Sequence, residues 1–131
     1  MSARQATNAL QHAVFARTGV SLGFDDANTL RRAERTLHRW AELECGNERG
    51  CIERDETSGI PQWRYADDIG KYCGYRIPDK EAGALRRIAE VCERTGLHYF
   101  HQTDPRGCAL YVSDKPLQAN DYSGAGVACC E

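Results

Sequence analysis

Apolar side chains recur at helical spacing in three stretches of this 131-residue chain. Ala6, Leu10, Ala13 and Val14 share one face of a helix predicted over 3–18, with Gly19 placed to stop it and a basic edge at Arg4 and Arg17. Val20 to Phe24 is a short connector. It leads to the strongest helical pattern, within 25–46, where Asp25 or Asp26 can cap the first turn and Gly46 stands as a C′ residue. Leu30, Ala33, Leu37, Trp40 and Ala41 line one side of that helix. The other side carries Arg31, Arg35 and Arg39 at i, i+4 and i+8, interleaved with Glu34 and Glu42. A third helix is expected from Pro78-Asp79 to Arg94-Gly96, its apolar stripe running through Ala82, Leu85, Ile88, Ala89 and Cys92.

Strand patterns are shorter. Leu97 to Gln102 and Cys108 to Val112 flank Asp104-Pro105-Arg106-Gly107, which fits a type I turn with Asp at i, Pro at i+1 and Gly at i+3. Val127 to Cys130 can add a third strand after Gly124 and Gly126. Between the second and third helices, segment 47–78 is read as irregular but hairpin-containing. Cys51 to Arg54 and Ile60 to Tyr65 flank a loose turn, and Pro61 marks the second run as an edge or irregular strand. Asp67 to Gly74 reads as a loop. Helices followed by a small antiparallel sheet define an α+β fold: one domain over 1–131, with two to three helices packed on a sheet built around the C-terminal hairpin.

Charge narrows the function. Seventeen basic and nineteen acidic residues leave a net −2, too balanced for a general nucleic-acid coat or a heavily acidic DNA mimic. No apolar run approaches the length of a membrane span, and Met1-Ser2-Ala3-Arg4 leads into polar sequence with no apolar signal core. The seven cysteines, at 45, 51, 73, 92, 108, 129 and 130, are odd in number and scattered. They are expected to be reduced thiols in a cytosol and not a disulfide framework.

No constellation earns a catalytic or metal assignment. Cys45, Cys51 and Cys73, with His38 upstream, lack the tight pairs of structural zinc sites. His98 and His101 lie three apart, so a regular strand turns them to opposite faces. His101 and Cys108 could face each other across the hairpin as base and nucleophile, but a small buried thiol facing the core is the ordinary outcome. Glu42, Glu44, Asp67, Asp68 and Asp104 are divided among a helix face, a loop and a turn, which argues against a hydrolytic metal site. What remains are surfaces. Arg31, Arg35 and Arg39 can meet phosphate or an acidic protein, or simply form a solvated, salt-bridged helix face. Trp63, Tyr65, Tyr72 and Tyr75 gather in the glycine-bearing middle segment, as a partner-binding patch or as a second small core. Arg106 stands at the hairpin tip.

Four segments together carry a resemblance: Thr36-Leu37-His38-Arg39-Trp40-Ala41-Glu42-Leu43-Glu44-Cys45-Gly46; Cys51 to Gly59; Ile77 to Leu85; and Tyr99 to Val112. The chain resembles a group of small, functionally uncharacterised proteins of tailed bacteriophages and prophages. These share a helix ending in Trp-x-x-x-Glu-Cys-Gly and an Asp-Pro-Arg-Gly-Cys-Ala-Leu-Tyr hairpin. The likeness covers roughly residues 27 to 128, is looser at Asp67–Tyr75, and departs at Cys129-Cys130, where that group tends to end in aliphatic residues. It implies a setting and no reaction: the cytoplasm of an infected bacterium. The expectation is a phage-encoded, non-catalytic, cofactor-free protein that binds a host protein or ribonucleoprotein complex, as an anti-defence, anti-CRISPR-like inhibitor. Arg31, Arg35, Arg39, Trp63, Tyr65 and Arg106 are its candidate binding residues. Two alternatives stand beside it: a metal-dependent or Cys/His enzyme acting on nucleic acid, and a nucleic-acid-binding accessory protein that uses the arginine helix face.

Overall fold

Helix α1 (Ala3–Thr18) opens on a reciprocal cap. The Ser2 hydroxyl accepts the Gln5 N–H at 3.1 Å, and the Gln5 side chain accepts the Ser2 N–H at 2.9 Å. Gly19 closes the helix at φ 74°, in the left-handed region that glycine enters without strain. The computed structural model describes residues 2–45, 50–54, 61–66, 72–76, 78–103, 108–117 and 127–129; for 41–45, 50–54, 61–66, 72–76, 102–103 and 128 it describes the backbone alone. In α1 the buried stripe is Thr7, Leu10 and Val14, whereas Ala13, expected inside, is exposed.

Helix α2 (Phe24–Cys45) starts one residue earlier than expected, and its first turn already contains Asp25 and Asp26. Neither therefore caps it; the Ala27 N–H bonds the Gly23 carbonyl at 3.0 Å. Asp26 instead accepts a two-pronged contact from Arg94 at 2.8 and 2.9 Å. Helix α3 (Asp79–Thr95) follows Pro78 at its N-cap and ends at Gly96, φ 75°. Its buried face is Glu81, Ala84, Ile88, Val91 and Cys92, while Ala82, Leu85 and Ala89 are only half-buried. At 100° per residue the face is turned by about 70° from the expected stripe. Val91 and Ala84 go inside where Ala82 and Ala89 were expected.

Six strands make one sheet: β1 (Gly50–Arg54), β2 (Pro61–Ala66), β3 (Tyr72–Arg76), β4 (His98–Thr103), β5 (Leu110–Ser113) and β6 (Val127–Ala128). Their order is β3-β2-β1-β4-β5-β6, with every neighbouring pair antiparallel. Two three-stranded meanders thus join where β1 meets β4, and α3 carries the chain from the outer strand of the first into the second. The architecture is α+β, three helices with an antiparallel sheet that includes the C-terminal hairpin. Two readings of the middle segment are corrected. Residues 72–74, read as part of a loop, belong to β3, where pairing with β2 supplies the order that the local sequence around Gly74 does not announce. Strand β2 is internal, not an edge: Pro61 is tolerated because it is the strand's first residue, opposite Arg54.

The core gathers Leu10 and Val14 of α1, Ala27, Leu30, Ala33 and Leu37 of α2, and Ala84, Ile88, Val91 and Cys92 of α3. These pack on Ala109, Leu110, Val112 and Val127 of the β5–β6 region. Helix α2 lies against both other helices, α1 reaches β5 and β6, and α3 touches β4. All four residues of β5 are buried, so that strand is covered on both faces.

Candidate functional site

Helix α2 turns two chemically different sides to the molecule. Glu34, expected among the solvated arginines, is 1% exposed, and its Oε1 accepts the Ala109 backbone N–H at 3.1 Å. That bond fastens α2 to the start of β5. It also removes from the helix surface the one acid that sequence spacing placed between Arg31 and Arg35. Glu34 is therefore not a surface acid beside Arg31 and Arg35, and the side chain of Glu42 lies outside the described residues.

What forms is a groove of about 670 Å³, lined by Asn28, Thr29, Arg31, Arg32, Arg35 and Thr36 of α2 and by Lys80 and Arg87 of α3. Five of these eight side chains are cations and none is a carboxylate. On α2 the lining follows i, i+4 and i+7 steps from Asn28 through Arg32 to Arg35. On α3, Lys80 and Arg87 lie two turns apart with Gly83 between them. The guanidinium ends of Arg87 and Arg86 come 3.5 and 3.6 Å from where a Gly83 Cβ would stand. On a chain of net charge −2, this groove concentrates positive potential, and its partly enclosed walls focus that potential further.

Arg31 differs from its neighbours. It is 8% exposed, with Nε donating to Thr7 Oγ1 at 3.0 Å and Nη2 donating to Asn28 Oδ1 at 2.9 Å. The Thr7 hydroxyl in turn donates to the Ala3 carbonyl at 2.9 Å, so α1 holds the arginine through a fixed oxygen. Both acceptors are neutral.

The other sequence-selected residues fall elsewhere. Arg35 is exposed and lines the groove; Arg39 is exposed and does not. Trp63 lies in β2 opposite Ile52 of β1 and Tyr75 of β3, and Tyr65 lies opposite Gly50 and Cys73. Their side chains, and the whole of Arg106, lie outside the described residues. The stripe of Arg31, Arg35 and Arg39 is thus divided: Arg31 is buried at the groove's lining, Arg35 is exposed in the groove, and Arg39 lies outside it. Sequence reasoning missed Arg32, Lys80 and Arg87. Placing the α3 stripe about 70° out of phase put Lys80 and Arg87 on the far side of that helix, when they flank its buried face.

Among the described residues the catalytic candidates do not assemble. His98 is exposed and His101 buried, on opposite faces of β4. His101 packs edge-on to Tyr99 at 5.2 Å, and its Nε2 has no hydrogen-bond partner among the described residues. Burial holds its pKa down to about 4, which favours the neutral ring. Cys108 is fully buried, its Sγ 3.3 Å from the Leu110 carbonyl. Cys92 is also buried, and burial with the nearby Glu93 charge pushes its thiol up to about 12. Cys51 and Cys73 stand two strands apart in neighbouring cross-strand rows, and their side chains lie outside the described residues. Among the described residues no three His, Cys, Asp or Glu side chains gather to hold a metal, and no described helix is long and apolar enough to cross a membrane. No protein-family model, curated protein or solved structure matches the chain.

Proposed function

We propose that this is a non-catalytic binding protein whose α2/α3 groove takes the phosphodiester backbone of a nucleic acid, free or carried in a ribonucleoprotein complex. The observation that carries this reading is the groove itself: Arg31, Arg32, Arg35, Lys80 and Arg87 around one depression, with no carboxylate in its lining. Like charges brought together cost self-repulsion, which a polyanion relieves while releasing its own counterions. An ordinary solvated helix face would mix the two signs. The setting we propose comes from the resemblance to tailed-phage and prophage proteins: a host ribonucleoprotein complex in the bacterial cytoplasm, blocked as an anti-defence measure.

Labelled single-stranded RNA, single-stranded DNA and duplex DNA, titrated with the full chain at low salt, test the groove directly. Binding by at least one, lost in an Arg35→Glu/Arg87→Glu double variant that keeps its fold, is the expected result. No binding by any of them, or binding that the double variant retains, removes the reading. Recovery of a bacterial ribonucleoprotein from lysate in a form that nuclease releases, together with weakened CRISPR immunity on expression, would support the proposed setting.

A further inference from the structure

The groove contains one cation that cannot be explained as solvated surface. Arg31 is nine-tenths buried and brings a positive charge into that position. A buried charge is normally matched by an opposite one. Arg31 is instead held by two neutral oxygens, Thr7 Oγ1 from α1 and Asn28 Oδ1 from one turn earlier in α2. These bonds use the Nε–H and one Nη2–H. Of the five N–H groups on a guanidinium, the two on Nη1 and the second on Nη2 are left. That is the pair of nitrogens that forms a fork, on a side chain that lines the groove.

We infer that Arg31 is a seat for a single phosphate group at the inner edge of the groove, and that α1 holds the seat in shape through Thr7. This rests on the groove being an anion site, and it adds which group is recognised and by which residue. A fork of two N–H groups engages two oxygens of one anion. A tetrahedral phosphate keeps further oxygens for the exposed cations beside it, Arg32 and Arg35 from α2 and Lys80 and Arg87 from α3. A planar carboxylate has no oxygens left for them. The exposed cations therefore supply long-range attraction, and Arg31 fixes where one phosphate sits. Because Thr7 belongs to α1, occupancy of the seat also ties α1 more firmly to α2.

Two probes separate this inference from the broader reading: inorganic phosphate, against acetate at equal ionic strength, followed by thermal unfolding; and a labelled single-stranded oligonucleotide, followed by anisotropy. They are applied to the wild type, Arg31→Lys, Thr7→Val, Thr7→Ser and Arg35→Gln. Arg31→Lys keeps the charge and removes the fork; Thr7→Val keeps Arg31 and removes its brace, and carries the test should Arg31→Lys fold poorly. Phosphate is expected to raise the unfolding midpoint of the wild type and Thr7→Ser, to raise that of Arg35→Gln by less, and to leave Arg31→Lys and Thr7→Val unmoved, with acetate inert throughout. Oligonucleotide affinity is expected to fall roughly thirtyfold or more in Arg31→Lys, the loss typical of a buried charge contact, and only a few fold in Arg35→Gln. An oligonucleotide that binds while Arg31→Lys and Thr7→Val respond to phosphate like the wild type overturns the seat and leaves the groove standing. Phosphate stabilisation without oligonucleotide binding supports the seat and overturns the polynucleotide reading. Failure of both probes on the wild type overturns both.

Discussion

Where α2 meets the sheet, charge is buried and answered; where it meets α3, charge is gathered and left open. On the first side Glu34 is sealed, its carboxylate oxygen taken by the Ala109 N–H, beside apolar neighbours such as Leu30 and Leu37 that are fully buried. On the second, Arg32 and Arg35 stand exposed beside Lys80 and Arg87, with no acid in the lining they share. The two sides are linked. Taking Glu34 inside fastens α2 to β5 and at the same time strips the neighbouring surface of its neutralising charge. A partnered buried group belongs to the structure, whereas unpartnered like charges around a depression belong to something the molecule meets.

If that division is right, substitutions on the sealed side lower stability and leave binding alone, and substitutions on the open side do the reverse. The largest effect is expected from Leu30→Ala, which empties a fully buried site at the meeting of the helices. It should cost about 2–5 kcal/mol in urea unfolding, with oligonucleotide binding intact under folding conditions. Next is the acid limb of stability. His101 ordinarily titrates near 6.5 but is held by burial to about 4. The unfolded chain takes up that proton first, so His101 costs nothing above pH 6.5, lowers stability progressively as pH falls from 6.5 to about 4, and costs no more below that. The window amounts to about 3 kcal/mol. His101→Leu should flatten that part of the difference between urea midpoints at pH 7 and pH 4.5.

Glu34→Ala should follow, at about 2 kcal/mol, because it orphans the buried Ala109 N–H and leaves a hole. Its binding should match the wild type. Arg35→Gln should change stability by no more than about 0.5 kcal/mol, as surface changes do, while weakening binding. A result in which Glu34→Ala abolishes binding at unchanged stability would erase the distinction between the two sides. The smallest effect is expected at the surface pair of Asp26 and Arg94. The hydrogen bond from Arg94 holds the Asp26 carboxyl below 3.8, so its contribution is present above that value and is lost as pH falls through the lowered one. Asp26→Asn should shift the unfolding midpoint slightly at pH 7 and less at pH 3.

The helices and the C-terminal hairpin were legible because their signals are local. Gly19 and Gly96 end helices where glycine is needed, and the apolar runs at Leu97–Gln102 and Cys108–Val112 supply the paired strands β4 and β5. Strand β3 was not legible, since Gly74 and its neighbours gain their order from pairing across to β2. The groove was half legible. The spacing of Arg35 on α2 showed its charged side, but spacing could not say that Glu34 leaves that side or that Arg31 is buried by Thr7 of another helix. The contribution of α3 was hidden by a phase error: Ala82, Ala84, Leu85, Ala89 and Val91 offer two overlapping apolar stripes, and only packing against α2 chooses between them.

The most direct test of the open side is the salt dependence of oligonucleotide binding, measured as log K against log salt concentration. With three to five phosphates engaged on a single strand, the wild-type slope should be about −2 to −3.5. The Lys80→Gln/Arg87→Gln double variant should be shallower by about 1.4, one increment for each lost contact. A flat wild-type dependence, or a double variant with an unchanged slope, would contradict the account.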